Sequence, residues 1–184
     1  MVNNQLSRFV GILMFNNVQN KCLICESVKL KEFNVGHTPL FECLDCGIIF
    51  KKDFPTEEFL KEYYKDNYKL TDEDKTGFER RRVFRIPEQA ELISIISKYQ
   101  SPPAQILDIG CHRGFFLDEA TRHGFDVTGI EPLDKARIYC KSIGLNVIES
   151  FSGLNSKFDV ITMWHSLEHN IKPLAALKDI NNHL

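Results

Sequence analysis

The sequence has no apolar run long enough to cross a bilayer. Neither charge is in excess: 23 basic side chains stand against 25 acidic ones, a formal net charge of −2. The signs balance along the chain and no basic stripe follows a phosphate backbone, which argues against nucleic acid as a partner. Phe9 to Phe15 imitates the core of a secretion signal, but only Arg8 flanks it and no small-x-small cleavage site follows. It reads as part of an N-terminal extension, residues 1–20, with a second candidate start at Met14. Together these absences predict a cytoplasmic protein without a membrane partner. A hydrophobic share of 43% and a charged share of 26% over 184 residues suit a soluble globular chain of one ordinary domain, or of one domain plus a small module.

What is present begins with cysteine. Cys22 and Cys25 form one C-x-x-C and Cys43 and Cys46 a second, with seventeen residues between the pairs. That spacing is the pattern of a zinc site built from two thiolate-bearing knuckles. Two knuckles on two short hairpins complete an S₄ tetrahedron, and Gly47 suits the turn after Cys46. Four thiolates leave no open position, so Zn²⁺ here is expected to be structural. Residues 21–50 hold too little apolar material to fold unaided, and the metal would supply the missing free energy. Two disulfides, which a reducing compartment disfavours, and an iron–sulfur cluster remain competing readings. A thioredoxin-like pair needs only one C-x-x-C. His37 reads as a surface residue.

Residues 51–101 read as a helical linker or lid. Pro55 fits a first helical position, and Phe59, Tyr63 and Tyr64 fall on one face. After a break over Thr71 to Gly77, a second helical stretch is interrupted or started at Pro87. Phe84, Ile86, Leu92, Ile93, Ile96 and Tyr99 are expected to face a core, with Arg80, Arg81, Arg82 and Arg85 on a solvated face paired with acids. Pro102 and Pro103 lead into residues 102–184.

There the pattern changes. Gln105 to Ile109 is an apolar strand with one acid, Asp108, and a glycine-punctuated turn, an amphipathic helix and a second apolar strand ending on Glu131 follow. Gly110 and Gly114 carry no Cβ to block a ligand's approach. The helix of about Arg113 to His123 points unsatisfied N–H groups at whatever sits over the turn. A dinucleotide fingerprint would read G-x-G-x-x-G, whereas His112 stands where the second glycine should be, so a pyrophosphate fits poorly. Pro132 starts another helix, ended by Gly144, and LNVIE is a short third strand. Val160, Ile161 and Met163 form a fourth, with Trp164 to His169 at its carboxyl end, the edge where open α/β sheets bind ligands.

Asp108, Gly110, Gly114 and Glu131, with FDVITMWHSLEH as a second motif, resemble the class I S-adenosylmethionine-dependent methyltransferases. The resemblance implies an α/β, Rossmann-like sheet and S-adenosyl-L-methionine as donor. Its implied donor-binding residues are Asp108, Gly110, Cys111, Gly114, Glu131, Pro132 and Trp164, with Glu149, Ser150 and Phe151 near the adenine. Cys111 and Cys140 both lie in elements expected to be buried. His165, Glu168 and His169 are candidate bases, because methyl transfer needs one only if the acceptor must lose a proton. An equally weighted reading has Glu168 bracing the next helix and His169 packing on the donor. Tyr63, Tyr64 and Tyr68 are candidate substrate contacts.

A zinc module ahead of such a domain is similar to sugar C-methyltransferases, which implies a small-molecule acceptor, nucleotide-linked sugars among them. The family's sheet has seven strands. Ending at Leu184 after the fourth leads to the expectation of a C-terminally truncated sheet with an open edge. The alternative from another class is an inactive remnant acting as a zinc-ribbon interaction module.

Overall fold

The computed structural model describes residues 17–56, 58–60, 62–63, 75–152 and 154–184. The chain divides into two compact units, Met1–Lys69 with Ile171–Ala175, and Leu70–Asn170 with Ala176–Leu184.

In the first unit β1 (Asn17–Val18) pairs antiparallel with β5 (Asp53–Phe54), while β2 (Leu30–Val35), β3 (Thr38–Cys43) and β4 (Ile49–Lys51) form an antiparallel meander. Phe41 lies opposite Phe50 across β3 and β4, their rings 6.0 Å apart, and the Lys52 ammonium sits 5.7 Å above Phe41. Cys22, Cys43 and Phe50 are the buried centre, so half of the cysteine set supplies two of the three buried core residues. The second knuckle closes the β3–β4 hairpin as expected. The first does not sit on a hairpin; it precedes β2. Further on, Thr56 caps a short helical segment through its Oγ1 to the Phe59 N–H, so Pro55 stands ahead of the helix and not in its first turn. The rings of Phe59 and Tyr63 meet at 5.9 Å. Tyr64, Tyr68 and most of the expected break at 71–77 lie outside the described residues.

The second unit contains α1 (Lys75–Ile96), β6 (Gln105–Ile109), α2 (Phe115–Arg122), β7 (Asp126–Ile130), α3 (Asp134–Ser142), β8 (Val147–Ile148) and β9 (Val160–Thr162), with α4 (Pro173–Asn181) running into it. The four strands are parallel in the order β8-β7-β6-β9, the α/β arrangement the sequence implies, with β9 at an edge among the described residues. Strand alternation splits the side chains between two layers. Ile106 and Val127 join Ile93, Ile96, Leu117 and Ala120, whereas Leu107 and Ile130 join Phe158.

Two expectations for α1 fail. Pro87 neither starts nor interrupts the helix, which runs through it. Proline removes the bond to the carbonyl four residues earlier, and Val83 there is exposed, so water can take that carbonyl. Phe84 and Tyr99 do not face the core; they are 86% and 81% exposed. The inward stripe is Ile86, Gln89, Ile93 and Ile96, spaced three and four apart, and it admits a glutamine while leaving Phe84 off the face. Tyr99 lies in the turn past the helix end.

Gly129 in β7 is where the turn, α2 and β8 close on one another. A Cβ there would meet Cys111 Sγ at 2.6 Å, Leu117 Cδ1 at 2.7 Å and Val147 Cγ2 at 3.2 Å. Gly129→Ala should therefore overpack this point and lower stability by about 1–3 kcal/mol, read from the urea midpoint. An unchanged midpoint would mean the packing there is loose.

Candidate active site

The cysteine cluster brings together all four residues predicted to hold a metal. The Sγ atoms of Cys22, Cys25, Cys43 and Cys46 lie within 4.8 Å of one another, with Cys22 to Cys46 and Cys25 to Cys43 both at 3.5 Å. Zinc–sulfur bonds of about 2.3 Å in a tetrahedron put sulfurs about 3.8 Å apart, so the donor set fits one zinc ion. Both knuckles are built alike. The Glu26 N–H donates to the Cys22 carbonyl at 3.1 Å and the Gly47 N–H to the Cys43 carbonyl at 2.8 Å. Each residue after the second cysteine is left-handed, Glu26 at φ 58° and Gly47 at φ 76°. Sequence pointed to Gly47 alone, because glutamate carries no turn signal. The Ile24 and Cys25 N–H groups both donate to Cys22 Sγ at 3.4 Å.

The second constellation stands where β6 and β7 end. Asp108 is central in the sheet and 3% exposed, and it accepts a 2.8 Å hydrogen bond from Thr162 Oγ1 across the β6–β9 register. Beyond β6 the main chain curls over β7, with the Gly110 and Cys111 N–H groups donating to the Ile130 carbonyl at 2.8 and 3.1 Å. Every second residue of the turn is left-handed: Gly110 at φ 78°, His112 at φ 50° and Gly114 at φ 71°. His112 thus takes the conformation a glycine would, at a cost of roughly 1–3 kcal/mol. Its N–H donates to Glu131 Oε2 at 2.8 Å, and Glu131 Oε1 accepts from the Leu133 N–H at 2.9 Å.

The glycines serve different ends. A Cβ on Gly110 would meet Ser166 Oγ at 2.5 Å, while one on Gly114 would meet Leu145 Cδ1 at 2.5 Å and Cys140 Sγ at 3.2 Å. The space on the Cβ side of Gly114 belongs to the core. Ser166, which lies over Gly110, carries no signal in its spacing. Thr162 is also hidden from sequence inspection, as one more β-branched residue in a strand.

Burial pushes the Asp108 carboxyl up to about 7, against the lowering effect of Thr162 and with a further push from Glu131. Burial raises Glu131 as well, opposed by the Leu133 and His112 N–H groups and by Arg137. The His112 imidazole falls to about 4 through burial and the positive charges of Arg113, Arg85 and Arg81, so it is neutral at pH 7. A side-chain contact with Cys140, and then burial, hold the Cys111 thiol protonated, in keeping with its inert place in the core.

Past β9, Trp164 packs edge-on against Phe116 with centroids 5.7 Å apart. Its Nε1 is buried and has no hydrogen-bond partner, the one such side-chain atom among the described residues. His165, left-handed at φ 50°, places Nδ1 3.6 Å from Glu168 Oε1. His165, Glu168 and His169 are all exposed, as is Pro132.

The methyltransferase-domain family matches residues 79–184, more than half of the chain. The chain belongs to that methyltransferase family. The ubiquinone biosynthesis O-methyltransferase of Serratia proteamaculans is 33% identical over 84 residues, 40% of this chain and 35% of that protein. Its namesake from Actinobacillus pleuropneumoniae is 36% identical over 89 residues, covering 40% and 38%. This methyltransferase chain therefore spans little more than a third of those relatives' length. The SAM-bound amino pentose methyltransferase CalS10 from Micromonospora echinaspora has the same fold, with a TM-score of 0.51 at 18% identity over 63% of this chain and 54% of that one. No helix among the described residues is long and apolar enough to cross a membrane.

Two outcomes follow. Cys43→Ser should lower bound zinc from one per chain to none, by elemental analysis; unchanged stoichiometry would remove the four-thiolate site. Asp108, with its carboxyl raised on folding, binds its proton more tightly in the native than in the unfolded chain. Its contribution is complete below about pH 4 and is lost as pH rises through about 7. Relative to Asp108→Asn, the urea midpoint of the ligand-free wild type should fall between pH 5 and 7.5, a comparison in which the opposing contribution of His112, which grows from about pH 4 to 6.5, is common to both proteins. An equal slope in the variant would place the titration elsewhere.

Proposed function

We propose that the chain binds S-adenosylmethionine over the Gly110–Gly114 turn and transfers its methyl group to a small-molecule acceptor. The bound donor supplies a methyl group on a positively charged sulfur, and transfer to an acceptor lone pair neutralises that charge. The observation that carries the reading is the Glu131 carboxylate. It is held at the strand end by two N–H groups, one on each oxygen, and each oxygen keeps a further lone pair for a ribose hydroxyl. Gly110 offers backbone without a side chain at the same edge, and the unpartnered Trp164 Nε1 offers a donor in an apolar wall. Asp108 and Thr162 support the turn from beneath, while Cys111, Gly114 and Pro132 shape it.

His165 with Glu168 is our choice for the base, with His169 beside them. The carboxylate can orient the imidazole, and both are open to an arriving acceptor. Residues 21–50 are assigned as the zinc module, 51–101 as the linker or lid, and 102–184 as the donor domain after the 1–20 extension. The zinc module ahead of a methyltransferase domain supports a sugar-like acceptor, nucleotide-linked sugars included. A cytoplasmic location is our reading because a reducing compartment keeps a four-cysteine zinc set from pairing as disulfides.

Calorimetry with S-adenosylhomocysteine tests the donor site. The zinc-loaded wild type should bind it, and Gly110→Val should not, since valine at φ 78° is strained and its side chain would occupy the place of Ser166. The variant should keep its zinc. Equal heats from both proteins would dismiss the turn as the donor site.

A further inference from the structure

We propose that Arg137 on α3 is a positioning residue that holds Glu131 in ribose-binding geometry, an inference that rests on the donor site assigned above. Glu131 continues the edge of the sheet past β7. Its N–H donates to the Ile148 carbonyl of β8 at 3.0 Å, and its own carbonyl accepts from Arg137 Nη1 at 2.8 Å. Both main-chain polar groups are therefore spoken for, one by the sheet and one by Arg137. The only freedom left to the carboxylate is rotation of its side chain, which the His112 and Leu133 N–H groups take up.

The other side of the guanidinium faces acids. Nη2 pairs with Asp134 and lies 3.5 Å from Glu149 Oε2. Glu131 and Glu149 follow strands that are paired in register, Ile130 beside Ile148. Without a cation, two carboxylates would crowd the end of β7 and β8. Arg137 is only 11% exposed, while Asp134 and Glu149 are 82% and 73% exposed, so the arginine is the anchored member and the acids are arranged around it. A planar fork is required, because one prong reaches a carbonyl and the other a carboxylate, which an ammonium on a flexible stem does not reproduce.

Three residues along the same helix, Cys140 donates its thiol hydrogen to the His112 carbonyl at 3.3 Å. Positions i and i+3 share a helix face. From that one face α3 takes hold of both partners of the Glu131–His112 hydrogen bond, Arg137 gripping one carbonyl and Cys140 the other. Sequence inspection took Cys140 only as a buried residue and did not single out Arg137, which looks like a solvated cation in a polar helix.

The test compares S-adenosylhomocysteine with its 2′,3′-dideoxy analogue by calorimetry, on wild type, Arg137→Gln and Arg137→Lys. Wild type should prefer the hydroxylated ligand. Arg137→Gln should bind S-adenosylhomocysteine about tenfold more weakly, about 1.4 kcal/mol, and leave the analogue's affinity unchanged, so that discrimination between the two shrinks. Arg137→Lys should recover part of the loss, and it carries the same comparison if the glutamine variant fails to fold. Equal weakening toward both ligands would mean Arg137 merely stiffens the domain, and unchanged binding would mean it does nothing at the site; either result overturns the proposal. Failure of wild type to bind either ligand overturns the donor assignment and this role with it, a result distinct from the other two.

Discussion

The second unit depends on a buried carboxylate that two backbone N–H groups share. Glu131 ends β7, yet one of its oxygens belongs to the turn after β6 and the other to the lead into α3. An ionised acid with little solvent is costly unless charge or hydrogen bonds offset it. Here two N–H donors and the nearby arginine do so. Because the acid is tied to the His112 N–H, the left-handed conformation of that histidine is fixed by the partner it serves. The strain and the hydrogen bond belong to one device, which joins the carboxyl ends of two neighbouring strands.

The cysteine module solves a similar problem by another route. Its apolar centre is small, and two of its three buried members are themselves cysteines. A metal ion joining four sulfurs would complete that centre, so the module's core and its metal site are the same object. The two left-handed residues, Glu26 and Gly47, stand at matching places in the knuckles. In both units, then, unusual backbone angles gather where polar groups must converge on one point.

Much of this was legible before the structure, because the signals concerned were backbone ones. Cysteine spacing gives knuckles, an apolar strand running into glycines gives a strand–turn–helix, and Gly144 marks a helix end with its φ of 85°. What escaped was set by packing across the chain. Phe84 reads as a core residue until the helix phase places Gln89 inward and Phe84 outward. Gly114 carries no sign in the sequence that Leu145 and Cys140 fill the space on its Cβ side. Ser166 and Thr162 have no distinguishing spacing, since their importance lies in which residue the sheet register sets opposite them. Pro87 reads as a break, and only its exposed surroundings make it tolerable within α1.

Trp164 is the sole tryptophan in the chain. Its indole packs beside the first turn of α2, with a buried N–H that has no acceptor. An excited indole shifts and dims according to the polarity and hydrogen bonding around it, and no second indole contributes background. Under the donor assignment proposed above, that lone indole would be an intrinsic reporter of binding, followed by light emission without attaching a dye.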